Sequence, residues 1–155
     1  MLNVKYKKLS ETAIEPAYQT DGAAGADLYA DLFCDDQLNG STFSNSFDLL
    51  PGNSIIAITN IALEIPTGYE GIIRPRSGLA FKHRVFAFEG TIDSDFRGSV
   101  NVLLYNLGCK NLKLNKGERI AQIVFKQVER AELKEAIELS RTTRGLGGFG
   151  STGTK

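Results

Sequence analysis

Apolar residues recur at every second position in several short stretches of the chain, each bounded by Gly, Asn, Asp or Pro. This is the pattern of strands with one buried face. Leu2, Val4 and Tyr6 form one such stretch, and Ile61, Leu63 and Ile65 form another, closed by Pro66 and Gly68. Val100, Val102 and Leu104 alternate likewise, and Leu112 and Leu114 stand between Asn111 and a Lys116-Gly117 turn. Residues 54–59 (SIIAIT), 84–88 (RVFAF) and 120–128 are partly apolar on both sides, as strands between two covered faces are. The pattern predicts about nine or ten short strands. Residues 131–139 (AELKEAIEL) fit two readings: a helix would group Leu133, Ala136 and Ile137, and a strand would align Leu133, Ile137 and Leu139. Residues 34–45 (CDDQLNGSTFSN) read as a polar surface loop. No linker or fixed-period repeat divides the chain, so residues 1–140 read as one domain and 141–155 as its C-terminal arm.

Composition narrows the class without changing it. With 155 residues, 42% hydrophobic and 23% charged, the chain suits a single soluble domain. Sixteen glycines, four prolines and no tryptophan agree with many turns and short strands, so the expected class is all-β. Eighteen Lys and Arg balance eighteen Asp and Glu, leaving no overall basic field to draw nucleic acid or an anionic membrane. No apolar run reaches the ~18–20 residues of a membrane span, and the first residues lack a signal peptide's apolar core. The expectation is a soluble, cytoplasmic protein without nucleic-acid or membrane partners. Two cysteines, Cys34 and Cys109, and one histidine, His83, give no zinc-type cluster. His83 reads as a cap or packing residue near the turn at 76–82.

Three stretches carry candidate chemistry. The end of the chain, RTTRGLGGFGSTGTK, has five glycines and one aromatic ring, Phe149, and cannot form its own core. It reads either as a plain extension or as a lid, with glycine N–H groups, Arg144, Ser151 and Thr152 for an anion and Phe149 for a flat ring. The literal G-x-G-x-x-G from Gly145 to Gly150 lacks a strand–helix context, so it is not read as a dinucleotide site. Residues 74–80 (RPRSGLA) place Arg76, Ser77 and Gly78 after a Pro bend, either as a surface turn or as a phosphate clamp. Residues 90–98 (GTIDSDFRG) place Asp93 and Asp95 between hairpin-like strands, with Asx-turns as one use and a general base for water as the other. Asp27 reads as a strand-start cap or as a partner for a cation or arginine. Arg119 and Gln122 read as ion-pair and sheet-edge residues or as ligand contacts.

Taken together and in order, five stretches resemble the five motifs of the trimeric deoxyuridine triphosphatase (dUTPase) family. They are GAAGADLYA (22–30), RPRSGLA (74–80), GTIDSDFRG (90–98), GERIAQIVF (117–125) and RGLGGFGSTG (144–153). The resemblance implies a jelly-roll-like β-barrel or sandwich subunit of a homotrimer, with active sites shared between three chains. It implies Mg²⁺-dependent hydrolysis of dUTP to dUMP and pyrophosphate, which keeps uracil out of DNA and supplies dUMP for thymidylate synthesis. By the same resemblance Asp93 orients the water that attacks the α-phosphorus, and Arg76, Ser77, Gly78 and Gln122 contact phosphates. A hairpin at 87–92, with Gly90, Thr91 and Ile92, reads uracil through its backbone, and Phe96, where tyrosine is usual, packs on the deoxyribose. Arg144, Phe149, Gly150, Ser151 and Thr152 close over the γ-phosphate and base. Mg²⁺ has no direct protein ligand, with Asp27 at most a partner through water. Glu89, beside the uracil hairpin where a small or neutral residue is commoner, is expected to point to solvent. Two other readings remain: a related dCTP deaminase, needing a glutamate such as Glu89 near the base, and a nucleotide-sensing protein without turnover.

Overall fold

The structure is a computed structural model that describes residues 1–35 and 42–148. Among the described residues the chain runs β1 (Lys5–Lys8), β2 (Ala26–Tyr29), β3 (Leu32–Asp35), β4 (Thr42–Ser44), β5 (Ser46–Leu49), β6 (Ser54–Ile58), β7 (Ile61–Glu64) and β8 (Tyr69–Arg74). It continues through α1 (Ser77–His83), β9 (Val85–Ala87), β10 (Thr91–Ile92), β11 (Asn101–Asn106), β12 (Leu112–Asn115) and β13 (Arg119–Gln127). The strands form a four-stranded sheet in the order β10-β8-β13-β2, a five-stranded sheet in the order β4-β3-β6-β11-β9, and two small pairs, β1-β7 and β12-β5. Every named strand pairing is antiparallel.

Alternation along the strands sends one set of side chains inward. Ile55 and Ala57 of β6, Val102 and Leu104 of β11, Ile73 of β8 and Ile123 of β13 are buried, and they join Leu28, Phe33 and Leu114 in one apolar cluster. The all-β expectation holds, with one refinement: the two main sheets are open and pack as a sandwich, and none closes into a barrel. The chain passes from one sheet to the other at a tight corner. Only Ala30 and Asp31 separate β2 from β3, yet Ala30 N–H donates to the Glu118 carbonyl (2.9 Å) beside the first sheet and Asp31 N–H to the Ile58 carbonyl (2.8 Å) in the second.

Asp31 makes that corner rigid. Its side chain is 2% exposed, and it accepts from Ser10 Oγ (2.6 Å), Thr12 Oγ1 (2.7 Å), Asn60 Nδ2 (2.7 Å) and Lys116 Nζ (2.7 Å). Asn60 reaches it from a left-handed backbone at φ 53°, a conformation asparagine tolerates better than most residues. Burial pushes the Asp31 carboxyl up, but the hydrogen bonds from Asn60, Lys116, Ser10 and Thr12 outweigh it and hold the group far below the usual carboxylate range. Three separate parts of the chain, at 10–12, 60 and 116, thus meet on one carboxylate.

The structure corrects four expectations. Residues 77–83, read as a turn, form α1, whose seven residues, about two turns with none fully buried, are too few to show a helical period. Arg84 ends it at φ 59° and donates from its N–H to the Ala80 carbonyl (3.0 Å). Residues 34–45 are not all loop, because Cys34 pairs with Phe43 and Asp35 with Thr42 in a β3–β4 hairpin; residues 36–41 lie outside the described residues. Residues 87–92 are not a hairpin: β9 pairs with β11 in one sheet and β10 with β8 in the other, so the segment crosses between sheets. Residues 131–139 form neither helix nor strand, and Leu133 and Ile137 are fully exposed.

Replacing Asp31 by Ala is expected to destabilise the fold by about 3 kcal/mol, the low end for breaking a buried pair, because Lys116 keeps access to water. Because the folded carboxyl is depressed, its contribution is fully present above about pH 4 and is lost as pH falls below that value. Urea midpoints at pH 7 and pH 3 check both points: the D31A variant should lie well below wild type at pH 7, and the gap should narrow at pH 3.

Candidate active site

Asp27 lies on β2 with its side chain 9% exposed, and each of its oxygens takes one arginine. Arg76 Nε donates to Oδ1 (3.0 Å) and Arg119 Nη1 to Oδ2 (3.2 Å). A buried carboxylate needs partners of this kind, and here they come from the end of β8 and the start of β13. Arg76 also donates from Nη1 to the Arg119 carbonyl (3.1 Å), and Arg119 Nη1 reaches Gln19 Oε1 (3.1 Å).

A β-bulge makes this convergence available. Along β13, Arg119 stands opposite Tyr29 and Ala121 opposite Leu28, so Ile120 is the extra residue. Gln122 is then opposite Asp27. Arg119 and Gln122 are three positions apart, which in a regular strand would send them to opposite faces; the bulge puts both on the face of Asp27. On the other side of β13, Gln122 pairs in register with Arg74, and its Nε2 donates to the Pro75 carbonyl (3.0 Å). The result is a polar pocket of about 230 Å³ lined by Gln19, Ala23, Gly25, Asp27, Arg76, Ser77, Gly78, Arg119 and Gln122.

The chain matches the dUTPase family model over residues 11–153. The chain belongs to the dUTPase family. It is 49% identical to the deoxyuridine 5'-triphosphate nucleotidohydrolase of Rhizobium meliloti over 142 residues, covering 90% of this chain and 83% of that one. With the protein of the same name from Nautilia profundicola it shares 47% identity over 154 residues, covering 98% and 99% of the two chains. Among solved structures, a mutant dUTPase of Staphylococcus bacteriophage 80alpha with dUpNHpp superposes with a TM-score of 0.78 at 26% identity, covering 97% of this chain and 98% of that one. The activity that goes with the family is enzymatic hydrolysis of dUTP.

Of the residues singled out in the sequence, the described dUTPase chain brings Asp27, Arg76, Ser77, Gly78 and Gln122 into the one pocket. Arg119, left open between an ion pair and a ligand contact, forms the ion pair and lines the same pocket. It does not bring Asp93 there. Ile92 pairs with Gly71 and Thr91 with Ile72, whereas Gln122 pairs with Arg74, so β10 leads away from the pocket along β8. Three residues of β8 at ~3.3 Å each put about 10 Å between those levels. Asp93 and Asp95 occupy a turn, not a strand pair, closed by the Phe96 N–H on the Asp93 carbonyl (3.1 Å) and braced by Arg97 Nη1 on the Ser94 carbonyl (2.7 Å). Asp93 is exposed, and among the described residues its carboxylate has no partner. The Phe96 ring is 42% exposed and lies against Gly98, where an added Cβ would be 2.6 Å from the ring.

Gly90 is tied to β8 by the Ile73 N–H on its carbonyl (2.9 Å). Beside it, Glu89 points outward and pairs with Arg74 Nη1 (3.0 Å), both side chains being largely exposed. Arg144 is exposed in a turn where Gly147 N–H donates to its carbonyl (3.0 Å); Phe149, Gly150, Ser151 and Thr152 lie outside the described residues. Sequence reasoning did not single out Gln19, Ala23 or Gly25 as lining residues; Ala23 and Gly25 lie within the motif at 22–30, and Gln19 carried no motif to reveal it. Cys34 is buried in β3 and Cys109 is exposed, both unpaired.

Replacing Asp27 by Ala would leave two guanidinium groups facing each other. The expected loss is about 2–3 kcal/mol, less than for a fully buried pair because the Arg119 side chain is 42% exposed. Asp27→Asn should lose less, since the amide keeps an acceptor for one arginine. Urea midpoints at pH 7 in low and high salt check the order, and salt should narrow the gap between wild type and D27A.

Proposed function

We propose that this enzyme hydrolyses dUTP to dUMP and pyrophosphate by attack of water on the α-phosphorus. The observation that carries the reading is the convergence of Arg76, Arg119, Ser77, Gly78 and Gln122 around Asp27 in a chain of this family. A triphosphate carries about four negative charges, and preorganised guanidinium and amide donors stabilise that charge as pyrophosphate leaves. Arg76 commits Nε and Nη1 within the protein, which leaves Nη2 for a phosphate oxygen. Ser77 and Gly78, at the start of α1, offer a hydroxyl and an unobstructed backbone beside it.

Asp93 is the residue we assign to the water. As a weak base it works by orientation: its carboxylate takes the water's proton while holding the oxygen in line with the scissile bond. Gly90, Thr91 and Ile92 read the uracil edge with backbone groups, and Phe96 packs on the deoxyribose, where a ribose 2′-OH would crowd the ring. Arg144, Phe149, Gly150, Ser151 and Thr152 close the site over the γ-phosphate and base and keep bulk water out.

A homotrimer reconciles these roles with one chain's geometry. Asp93 and the phosphate pocket sit at different levels of the same sheet, so each site would take its Asp93 turn from one subunit and its pocket from another. The exposed apolar residues Leu133, Ile137 and Leu139 favour the same assembly, because an apolar run outside its own core calls for a second surface. The physiological role we assign is the removal of dUTP from the DNA precursor pool and the supply of dUMP for thymidylate synthesis.

Mg²⁺ is the proposed cofactor. Among the described residues no three His, Cys, Asp or Glu side chains come together as a metal cluster, and both Asp27 oxygens are engaged by arginines. This donor set fits a metal carried in on the phosphates, with no direct protein ligand. When bound, Mg²⁺ supplies charge neutralisation along the triphosphate.

Pyrophosphate release from dUTP, dCTP, dTTP and UTP, with and without Mg²⁺, tests the reading. Turnover of dUTP alone, abolished by EDTA and restored by Mg²⁺, is the expected result. Ammonia from dCTP, or dUTP binding with no product, would overturn it. Asp93→Asn should lower kcat by about 10²–10⁴-fold, the range for a lost general base, while dUpNHpp still binds. Removing residues 142–155 should abolish turnover and leave the assembly intact by light scattering; full turnover in that variant would sink the lid assignment.

A further inference from the structure

One lining residue of the pocket has no chemistry of its own. Gly25 lies in the bend that directly precedes β2, two positions before Asp27, is buried, and abuts the side chain of Gln122. Its φ lies outside the left-handed range, so any residue could adopt its backbone conformation. What the position lacks is room. A Cβ there would be 2.5 Å from Gln122 Oε1 and 3.1 Å from both Cβ and Cδ of the same side chain, its three nearest neighbours. Gln122 itself is opposite Asp27 and half-buried, and its amide folds over the Gly25 backbone to reach the Pro75 carbonyl at 3.0 Å.

That carbonyl belongs to the residue before Arg76, the extended N-cap of α1 at φ −90° and ψ 129°. Pro75 has no N–H, and Arg76 makes no side-chain cap bond to its own helix. The amide of Gln122 thus ties β13 to the backbone of the bend that aims Arg76 and Ser77, beside the bond that Arg76 Nη1 makes to the Arg119 carbonyl. We propose that Gly25 is the positioning residue of this site: by omitting a Cβ it lets the Gln122 carboxamide brace Pro75 and so sets the approach of Arg76 and Ser77 to the substrate's phosphates. The inference rests on the reading above, in which those residues take phosphate, and adds a residue that touches no substrate.

The sharpest clash falls on the far end of one flexible side chain, and the 3.1 Å approach to Gln122 Cβ needs only a few tenths of an ångström of give, so the fold should absorb the change by moving Gln122. Affinity should suffer more than stability. The test is a double-mutant cycle in the full-length protein with dUpNHpp as probe, measuring dissociation constants and urea midpoints for wild type, G25A, Q122A and G25A/Q122A. Loss of one hydrogen bond corresponds to a weakening of about five- to tenfold, which is expected for G25A with a matching rise in KM for dUTP and little change in midpoint. In the Q122A background, where nothing remains to be displaced, adding G25A should change affinity by less than about twofold.

An unchanged G25A, or a G25A effect of equal size in the Q122A background, overturns the proposal. If G25A does not fold, G25A/Q122A must still fold, and its failure to do so overturns the proposal too. A wild-type protein that binds no dUpNHpp overturns the phosphate reading and the proposal together, whereas tight wild-type binding with an unaffected G25A removes the proposal alone.

Discussion

A carboxylate taken out of water must be matched by charge or hydrogen bonds, and the way Asp27 meets this requirement organises the pocket. Its two oxygens accept from arginines that enter from different strands, one at the exit of β8 and one at the entrance of β13. Neither guanidinium can swing into solvent without leaving one oxygen of a buried carboxylate without its arginine. The pair is therefore held in place before any anion arrives, which lowers the reorganisation that binding a polyanion would demand. Two positive charges against one negative leave the cluster cationic, whereas Arg74 and Glu89 nearby cancel each other.

The second requirement is that Arg119 and Gln122 face the same way, and ordinary strand geometry forbids it. The bulge at Ile120 resolves the conflict with one unpaired residue. Ile120 is itself fully buried beside Ala121, so the extra residue contributes to the core while re-aiming the polar side chains. Core packing and site geometry are here one feature, and register on both neighbours is kept from Gln122 onward.

Much of this was legible in the sequence, but unevenly. The period-two stretches around Ile61, Val102 and Leu114 became β7, β11 and β12; β11 and β12 bury one face, whereas β7 buries Ile61, Ala62 and Leu63 on both. The motif residues Arg76, Ser77, Gly78 and Gln122 did converge. What was not legible depended on contacts outside the local window. Nothing in RSGLAFKH distinguishes a seven-residue helix from a turn, since its stability comes from Leu79 packing on the core and from the left-handed stop at Arg84. The bulge has no local signature in GERIAQ, because it is defined by what β2 does opposite. The hairpin at 87–92 is implied by the family resemblance alone, and the two strands there pair with different sheets.

The unstructured run after β13 follows from the same logic of partners. Leu133, Ile137 and Leu139 recur at even spacing, as in a strand, and a strand needs a neighbour to satisfy both its backbone and its apolar face. β13 pairs with β2 only as far as Ile123 and with β8 as far as Gln127, opposite Tyr69 at the start of β8, so a continuation past Gln127 runs beyond both neighbours. Burying such side chains is worth roughly 1.5–3 kcal/mol each, a gain this chain leaves uncollected by itself. In the proposed trimer one surface contact would recover it, and the separate levels of the Asp93 turn and the arginine pocket along β8 are what such an assembly would bring together. Folding and assembly would then answer the same constraint, with each subunit supplying what the others' sheets cannot reach.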